Sequence, residues 1–124
     1  MAHGSIEHVN ITVTDPDRSV RLFEDLLGWK ERWSGPSMLG GRTIHIGDAD
    51  NYLAIYTNEN AAGDYAKGRP LNHVGLQVDD LAAAEAVVER HGLKPFSHSS
   101  YDPGPDSFYF LDWDGIEFEV VSYE

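Results

Sequence analysis

The stretch EHVNITVTD at residues 7–15 decides the fold, because it recurs as NHVGLQVDD at residues 72–80. His8 and His73 hold the same place in the two copies and stand 65 positions apart, about half of the 124-residue chain. In each copy apolar and polar residues alternate, which is typical of a half-buried strand. The sequence therefore predicts a duplicated module, and a histidine is part of what is duplicated.

The same series of elements follows each copy. Asp15 and Pro16 are typical of the N-cap and first position of a helix, and Gly28 is typical of its end. Three strands are predicted to follow, near residues 29–34, 42–47 and 52–57. The second copy predicts a strand over 71–78, a helix over 80–91, and strands near 94–97, 107–111 and 116–122. The polar, turn-rich segment 97–106 suits a flap better than a strand.

These patterns predict an α+β fold built from two tandem βαβββ modules. The modules cover about residues 5–57 and 71–122, joined by a linker over 58–70, in one domain spanning residues 1–124. A single module would leave one sheet face uncovered, so we expect the two modules to pair. The expected product is a cupped mixed sheet with the helices on the outside.

Strand alternation assigns polar residues to the face away from the helices. They are His8, Asn10, Thr43, His45, His73, Gln77, Ser107, Tyr109, Glu117 and Glu119. Aligning residues 51–56 with 115–120, at an offset of 64, sets Ile55 opposite Glu119. Two imidazoles and one carboxylate with open coordination positions are a recurrent catalytic metal site, so His8, His73 and Glu119 are predicted ligands. Glu119 is preferred to Glu117, and His45 is either a general base or a hydrogen-bonded structural histidine.

Composition limits the partners. Nine basic against 21 acidic residues give a net charge of −12, which disfavours nucleic acid and anionic membranes and leaves small ligands or cations. The chain has no cysteine, which excludes disulfides, thiolate ligands and a cysteine nucleophile. Neither a signal pattern nor a membrane-spanning apolar run is present, so we expect a cytoplasmic protein.

Three stretches resemble the vicinal oxygen chelate (VOC) superfamily, which includes glyoxalase I, fosfomycin-resistance enzymes, extradiol dioxygenases and bleomycin-binding proteins. They are HVNITVTDPDRSVRLFEDLLGW at 8–29, NHVGLQVDD at 72–80 and SFYFLDWDGIEFEVV at 107–121. The resemblance implies that His8, His73 and Glu119 bind a divalent metal. By the same resemblance, Ile55 stands at the position where glyoxalase I has a fourth acidic ligand. The missing acid argues against the isomerase chemistry of glyoxalase I.

Within the superfamily, the stretch DSFYFLDWDG at 106–115 is most similar to fosfomycin thiol transferases. By that resemblance Ser107 and Tyr109 would contact an anionic substrate, although segment 97–106 has no lysine or arginine to pair with a phosphonate. The predicted substrate-binding residues are Asn10, Ile55, Gln77, Ser107 and Tyr109, and the predicted catalytic residues are His45 and Tyr109.

Two functions remain open from the sequence. The first is a metal-dependent enzyme (a lyase, isomerase, transferase or dioxygenase) whose small substrate chelates Mn, Fe, Ni, Zn or Co through adjacent oxygens. The second is a bleomycin-resistance-like binding protein without catalysis, which the acidic surface would suit if its ligand were cationic. The resemblance also implies a homodimer, with each site built within one chain or from both.

Overall fold

Each half of the chain folds in the order β-α-β-β-β, so the predicted α+β fold of two βαβββ modules is confirmed. The computed structural model describes residues 3–124. The elements of the first half are β1 (His8–Thr12), α1 (Pro16–Leu27), β2 (Lys30–Pro36), β3 (Arg42–Gly47) and β4 (Tyr52–Thr57). Those of the second are β5 (Val74–Gln77), α2 (Leu81–Arg90), β6 (Phe96–Ser100), β7 (Asp106–Leu111) and β8 (Glu117–Ser122). The chain divides into two compact units between Ala62 and Gly63, within the segment predicted as a linker.

The two units repeat one sheet topology. In the first unit the strand order is β1-β4-β3-β2, and in the second it is β5-β8-β7-β6. The outer pairs β1–β4 and β5–β8 are parallel, and the other neighbours are antiparallel. Helix α1 contacts β3 and β4, and α2 contacts β7 and β8. Each sheet therefore has one face covered by its own helix, and the alternate side chains point to the opposite face.

Both helices begin at the predicted aspartates. The side chain of Asp15 accepts a hydrogen bond from the backbone N–H of Arg18 at 3.2 Å, and Asp80 accepts one from Ala83 at 3.0 Å. Gly28 ends α1 in the left-handed conformation (φ 66°), which a residue without a Cβ adopts at little cost. Neither helix is long and apolar enough to span a membrane, as far as residues 3–124 are concerned.

The core of each unit lies between its helix and its sheet. In the first unit it is built on Ile11, Leu22, Phe23 and Ile46, and in the second on Val88, Phe108, Phe110 and Phe118, all at most 1% exposed. The rings of Phe110 and Phe118 stack with centroids 5.3 Å apart. Burial of these side chains supplies the main stabilising free energy of each unit, and it fixes which strand face is open.

The prediction that segment 97–106 is a flap without strand structure is wrong for its first part. Residues Phe96–Ser100 form the edge strand β6, paired with β7. The register shifts between Phe96 and Ser99, and Ser97 has a φ of 52°, so the strand contains a bulge. A bulged edge strand is exposed and can be polar, which is why the composition resembled that of a loop.

The offset of 64 between the last strands of the two halves is also wrong. Val9 pairs with Leu53 in the first unit, and Val74 pairs with Phe118 in the second, so these strands match at 65, as the histidines do. Ala54 is therefore the counterpart of Glu119. Ile55 pairs with Ile11 and Ile44 on the helix-covered face and is 0% exposed, so its predicted role as a substrate contact is wrong. The error arose because apolar residues flank both strands, and one position of slip reverses every side chain.

Candidate metal centre

His73 and Glu119 meet on the open face of the second unit. His73 directly precedes β5, and Glu119 lies in β8 beside Gly75. The Nε2 atom of His73 is 3.2 Å from Oε1 of Glu119, and the two side chains are 32% and 18% exposed. A Cβ built at Gly75 would have nothing within 4 Å, so the surface next to Glu119 is open. Two of the three predicted metal ligands are thus brought together.

The other ring nitrogen of His73 is held by the preceding residue. Nδ1 of His73 lies 2.8 Å from Oδ1 of Asn72, and the ammonium of Lys67 donates to the same oxygen at 3.3 Å. Since that oxygen accepts, Nδ1 is the donor, and Nε2 is the ring nitrogen that faces Glu119. Either a proton on Nε2 or a bound cation would join the imidazole to the carboxylate, and a histidine whose Nδ1 donates to an oxygen in this way is typical of metal sites. The donor set therefore fits a divalent metal.

Tyr109 borders this pair. Its ring lies edge-on to His73 with centroids 5.5 Å apart, and its hydroxyl donates a hydrogen bond to Glu119. Burial, followed by the negative charge of Glu119, raises the pKa of Tyr109 above its ordinary value. The phenol consequently remains protonated at neutral pH and is a hydrogen-bond donor beside the candidate ligands.

A cavity opens next to His73. Its volume is about 190 Å³, and its walls are Lys67, Asn72, His73, Phe96, Ser97, Tyr109 and Glu117. The ammonium of Lys67 lies 2.8 Å from Oε2 of Glu117, whose side chain is 7% exposed. A polar cavity with an aromatic wall suits a small, oxygen-rich ligand.

In the first unit, His8 is likewise held through its Nδ1 by the side chain of the preceding residue. Its Nδ1 is 2.9 Å from Oε1 of Glu7, and its ring stacks on Tyr52 with centroids 4.8 Å apart. Among the residues that the structure describes, Nε2 of His8 has no hydrogen-bond partner. Over residues 3–124, neither unit contains a group of three His, Asp or Glu side chains that could hold a metal ion. His8 thus belongs to the first unit, and the His73–Glu119 pair belongs to the second.

Asn10 and His45 lie on the open face of the first unit, where both pair with Ala54. The ring of His45 contacts Tyr52 and Trp33, with centroids 4.5 and 5.1 Å away. Burial lowers the pKa of His45, and the nearby His8 lowers it further, so the neutral imidazole is favoured. A neutral histidine can accept a proton, which suits the predicted base, although the same contacts also suit a structural role.

The remaining predicted contacts of the second unit differ in exposure. Gln77 is exposed in β5 and pairs with Val121. Ser107 pairs with Val121 from the other side, yet it is 1% exposed, and its Oγ is buried without a hydrogen-bond partner among the described residues. Gln77 is therefore accessible to a ligand, and Ser107 is not accessible in this structure.

Four residues around the histidines were not predicted from the sequence. Glu7 and Asn72 could have been found, because each copy of the repeat places an oxygen-bearing side chain directly before its histidine. Tyr52 and Lys67 gave no such signal. The alternation predicts only a strand residue at Tyr52, and Lys67 lies in the predicted linker.

Comparison with known proteins identifies the family. The family described as Glyoxalase/Bleomycin resistance protein/Dioxygenase superfamily matches residues 5–120, and the chain belongs to it. The predicted membership of the VOC superfamily is thereby confirmed. A search of curated protein sequences gives no match.

Solved structures share the fold at low sequence identity. A glyoxylase/bleomycin resistance protein/dioxygenase domain from Frankia sp. EAN1pec is 23% identical, with a TM-score of 0.82 over 98% of both chains. A mutant fosfomycin resistance protein, FosX, from Listeria monocytogenes was solved with Mn(II) and 1S,2S-dihydroxypropylphosphonic acid. It is 14% identical, with a TM-score of 0.74 over 97% of this chain and 93% of that one. A mutant glyoxalase I from Zea mays is 20% identical, with a TM-score of 0.73 over 94% of this chain and 45% of that one.

Proposed function

We propose that the protein is a divalent-metal-dependent enzyme of this superfamily, acting on a small substrate that presents two adjacent oxygens to the metal. The observation that carries the proposal is the His73–Glu119 pair, in which Nε2 lies 3.2 Å from a carboxylate oxygen while Nδ1 is held by Asn72. His8 is the proposed third ligand, since its Nδ1 is engaged in the same way. The similarity of fold to a FosX solved with Mn(II) supports the choice of a divalent ion.

A divalent ion in this site would supply Lewis acidity to the two substrate oxygens. The protein's own residues then have separate tasks. Glu119 and the two histidines would provide the donor atoms for the ion. Asn72 fixes the orientation of the His73 ring by accepting a hydrogen bond from Nδ1. Tyr109 is protonated and adjacent to Glu119, and its single O–H would turn from that carboxylate to a substrate oxygen on which negative charge develops.

On the face of the first unit, His45 is the proposed proton acceptor. Asn10 and Gln77 are proposed substrate contacts on the open faces of their units. The reaction is of the lyase, isomerase, transferase or dioxygenase type, with Mn, Fe, Ni, Zn or Co as the ion. We propose a cytoplasmic homodimer as the working form.

The test is metal analysis of protein purified without chelator, for the wild type and for His73→Ala and Glu119→Gln. We expect about one divalent ion per complete site in the wild type and its loss in both variants, because each removes a donor. His98→Ala is the matched control. Its Nε2 also faces a carboxylate, that of Glu85 at 2.6 Å, but the pair lies on β6 and α2 outside the proposed site. Retention of metal by His73→Ala, or its loss from His98→Ala, would count against the proposal.

A bleomycin-resistance-like binding protein is the second candidate, and the net charge of −12 favours it if the ligand is cationic. Calorimetry separates the two functions. A protein that binds no metal yet binds a cationic glycopeptide stoichiometrically is a binding protein, whereas metal loading that His73→Ala removes supports the enzyme.

A further inference from the structure

Two carboxylates on one strand compete for the same role. Glu117 and Glu119 are two positions apart in β8, so both point to the open face, where His73 and Tyr109 lie. Strand alternation puts both on the same face, so alternation alone gives no physical reason for one to be the ligand. In the structure their surroundings differ sharply.

Lys67 makes that difference. Its ammonium lies 2.8 Å from Oε2 of Glu117, and the Glu117 side chain is 7% exposed, whereas Glu119 is 18% exposed and faces Nε2 of His73. A buried carboxylate held by a cation at this distance is strongly retained, because separating the pair would leave an uncompensated buried charge. Glu117 is thus engaged in the ion pair with Lys67, and Glu119 is the carboxylate that remains for a metal.

The same ammonium also reaches the histidine. Lys67 donates to Oδ1 of Asn72 at 3.3 Å, and that oxygen accepts from Nδ1 of His73 at 2.8 Å. The lysine therefore neutralises one carboxylate and orients the amide that fixes the histidine. One lysine therefore acts on both predicted groups of this unit, on the neighbour of Glu119 in β8 and on the Nδ1 partner of His73.

We infer that Lys67 is a positioning residue of the metal site, which withholds Glu117 from the metal by an ion pair and so assigns the ligand role to Glu119. This inference rests on the proposed function, since it concerns the choice of ligand for the proposed metal. It extends that function by explaining why one of two neighbouring carboxylates is used.

The test measures how strongly metal binding depends on Glu119 when Lys67 is present and when it is absent. Co(II) is titrated into the chelator-treated protein and followed by its visible absorption, for the wild type, Glu119→Gln, Lys67→Met and the double variant Lys67→Met/Glu119→Gln. With Lys67 present, Glu119→Gln should raise the Co(II) dissociation constant by about 10-fold or more, as expected for lost metal-site groups. Without Lys67, the released Glu117 substitutes, and the same change should raise it by less than about 3-fold.

Two further backgrounds serve as controls, each measured with and without Glu119→Gln. Lys67→Arg keeps the ion pair, so Glu119→Gln should have its full effect in that background. In Lys67→Met/Glu117→Gln no second carboxylate is present, so the full effect should return. Lys67→Gln retains an N–H donor without the charge and provides the same comparison should Lys67→Met fail to fold, as judged by circular dichroism.

The outcomes separate the inference from the proposed function. Equal effects of Glu119→Gln with and without Lys67, in a wild type that binds Co(II), would overturn the inference alone. A wild type that binds no Co(II) would overturn the proposed function and the inference with it. A reduced effect without Lys67 that returns in Lys67→Met/Glu117→Gln supports the inference.

Discussion

Ile55→Ala tests the strand register that determines which residues face the site. Ile55 is 0% exposed and is paired on both sides with isoleucines, Ile11 and Ile44, which are 1% and 3% exposed. The substitution removes three carbon atoms from this layer, about 2.4 kcal/mol at roughly 0.8 kcal/mol per methylene, before the cavity left behind is counted. With that cavity we expect the free energy of unfolding to fall by about 3–4 kcal/mol.

Urea denaturation followed by far-UV circular dichroism provides the measurement. For a domain of this size the slope is about 1–3 kcal/mol per M, so the midpoint should fall by about 1 M or more. Ile6→Ala is the matched control, because Ile6 is 74% exposed in the same unit, and it should change the stability by less than about 0.5 kcal/mol. If Ile55→Ala cost no more than Ile6→Ala, Ile55 would face the open surface, and the offset of 65 would be refuted.

Two other predictions concern a charge and the helix ends. Because burial and then His8 and Arg32 lower the pKa of His45, it should titrate below 6.5 in an NMR pH series, and Arg32→Ala should raise its midpoint. As the pH falls, the unfolded chain binds this proton before the folded protein does, so His45 should reduce the stability below pH 6.5. An NMR midpoint at or above 6.5 would contradict the lowered pKa of His45. Asp15→Ala and Asp80→Ala should each cost about 1 kcal/mol in urea denaturation by removing an N-cap. The asparagine variants should cost much less, and equal losses for alanine and asparagine would show that capping is not the cause.

Local chemistry explains why so much of the fold was predictable. The N-cap Asp15, the helix start at Asp80, the helix-ending Gly28 and the alternation around Ile11 depend on a few neighbouring residues, and the structure confirms them. The predictions that were wrong concern features that depend on pairing between strands distant in sequence. Segment 96–100 is a strand because β7 pairs with it, and its serines tolerate exposure at a sheet edge.

For the site, the sequence by itself determined that two histidines occupy equivalent positions of the repeat and that an acid follows in the last strand. A repeat preserves spacing, and the two-residue period of a strand preserves the face. Only the tertiary structure decided which partners those side chains have. The register of β4 moved Ile55 into the core, and Lys67, which lies 50 positions before Glu117 in the chain, formed an ion pair with it and left Glu119 to His73. Such choices depend on distances between strands that are remote in sequence, and no local pattern encodes them.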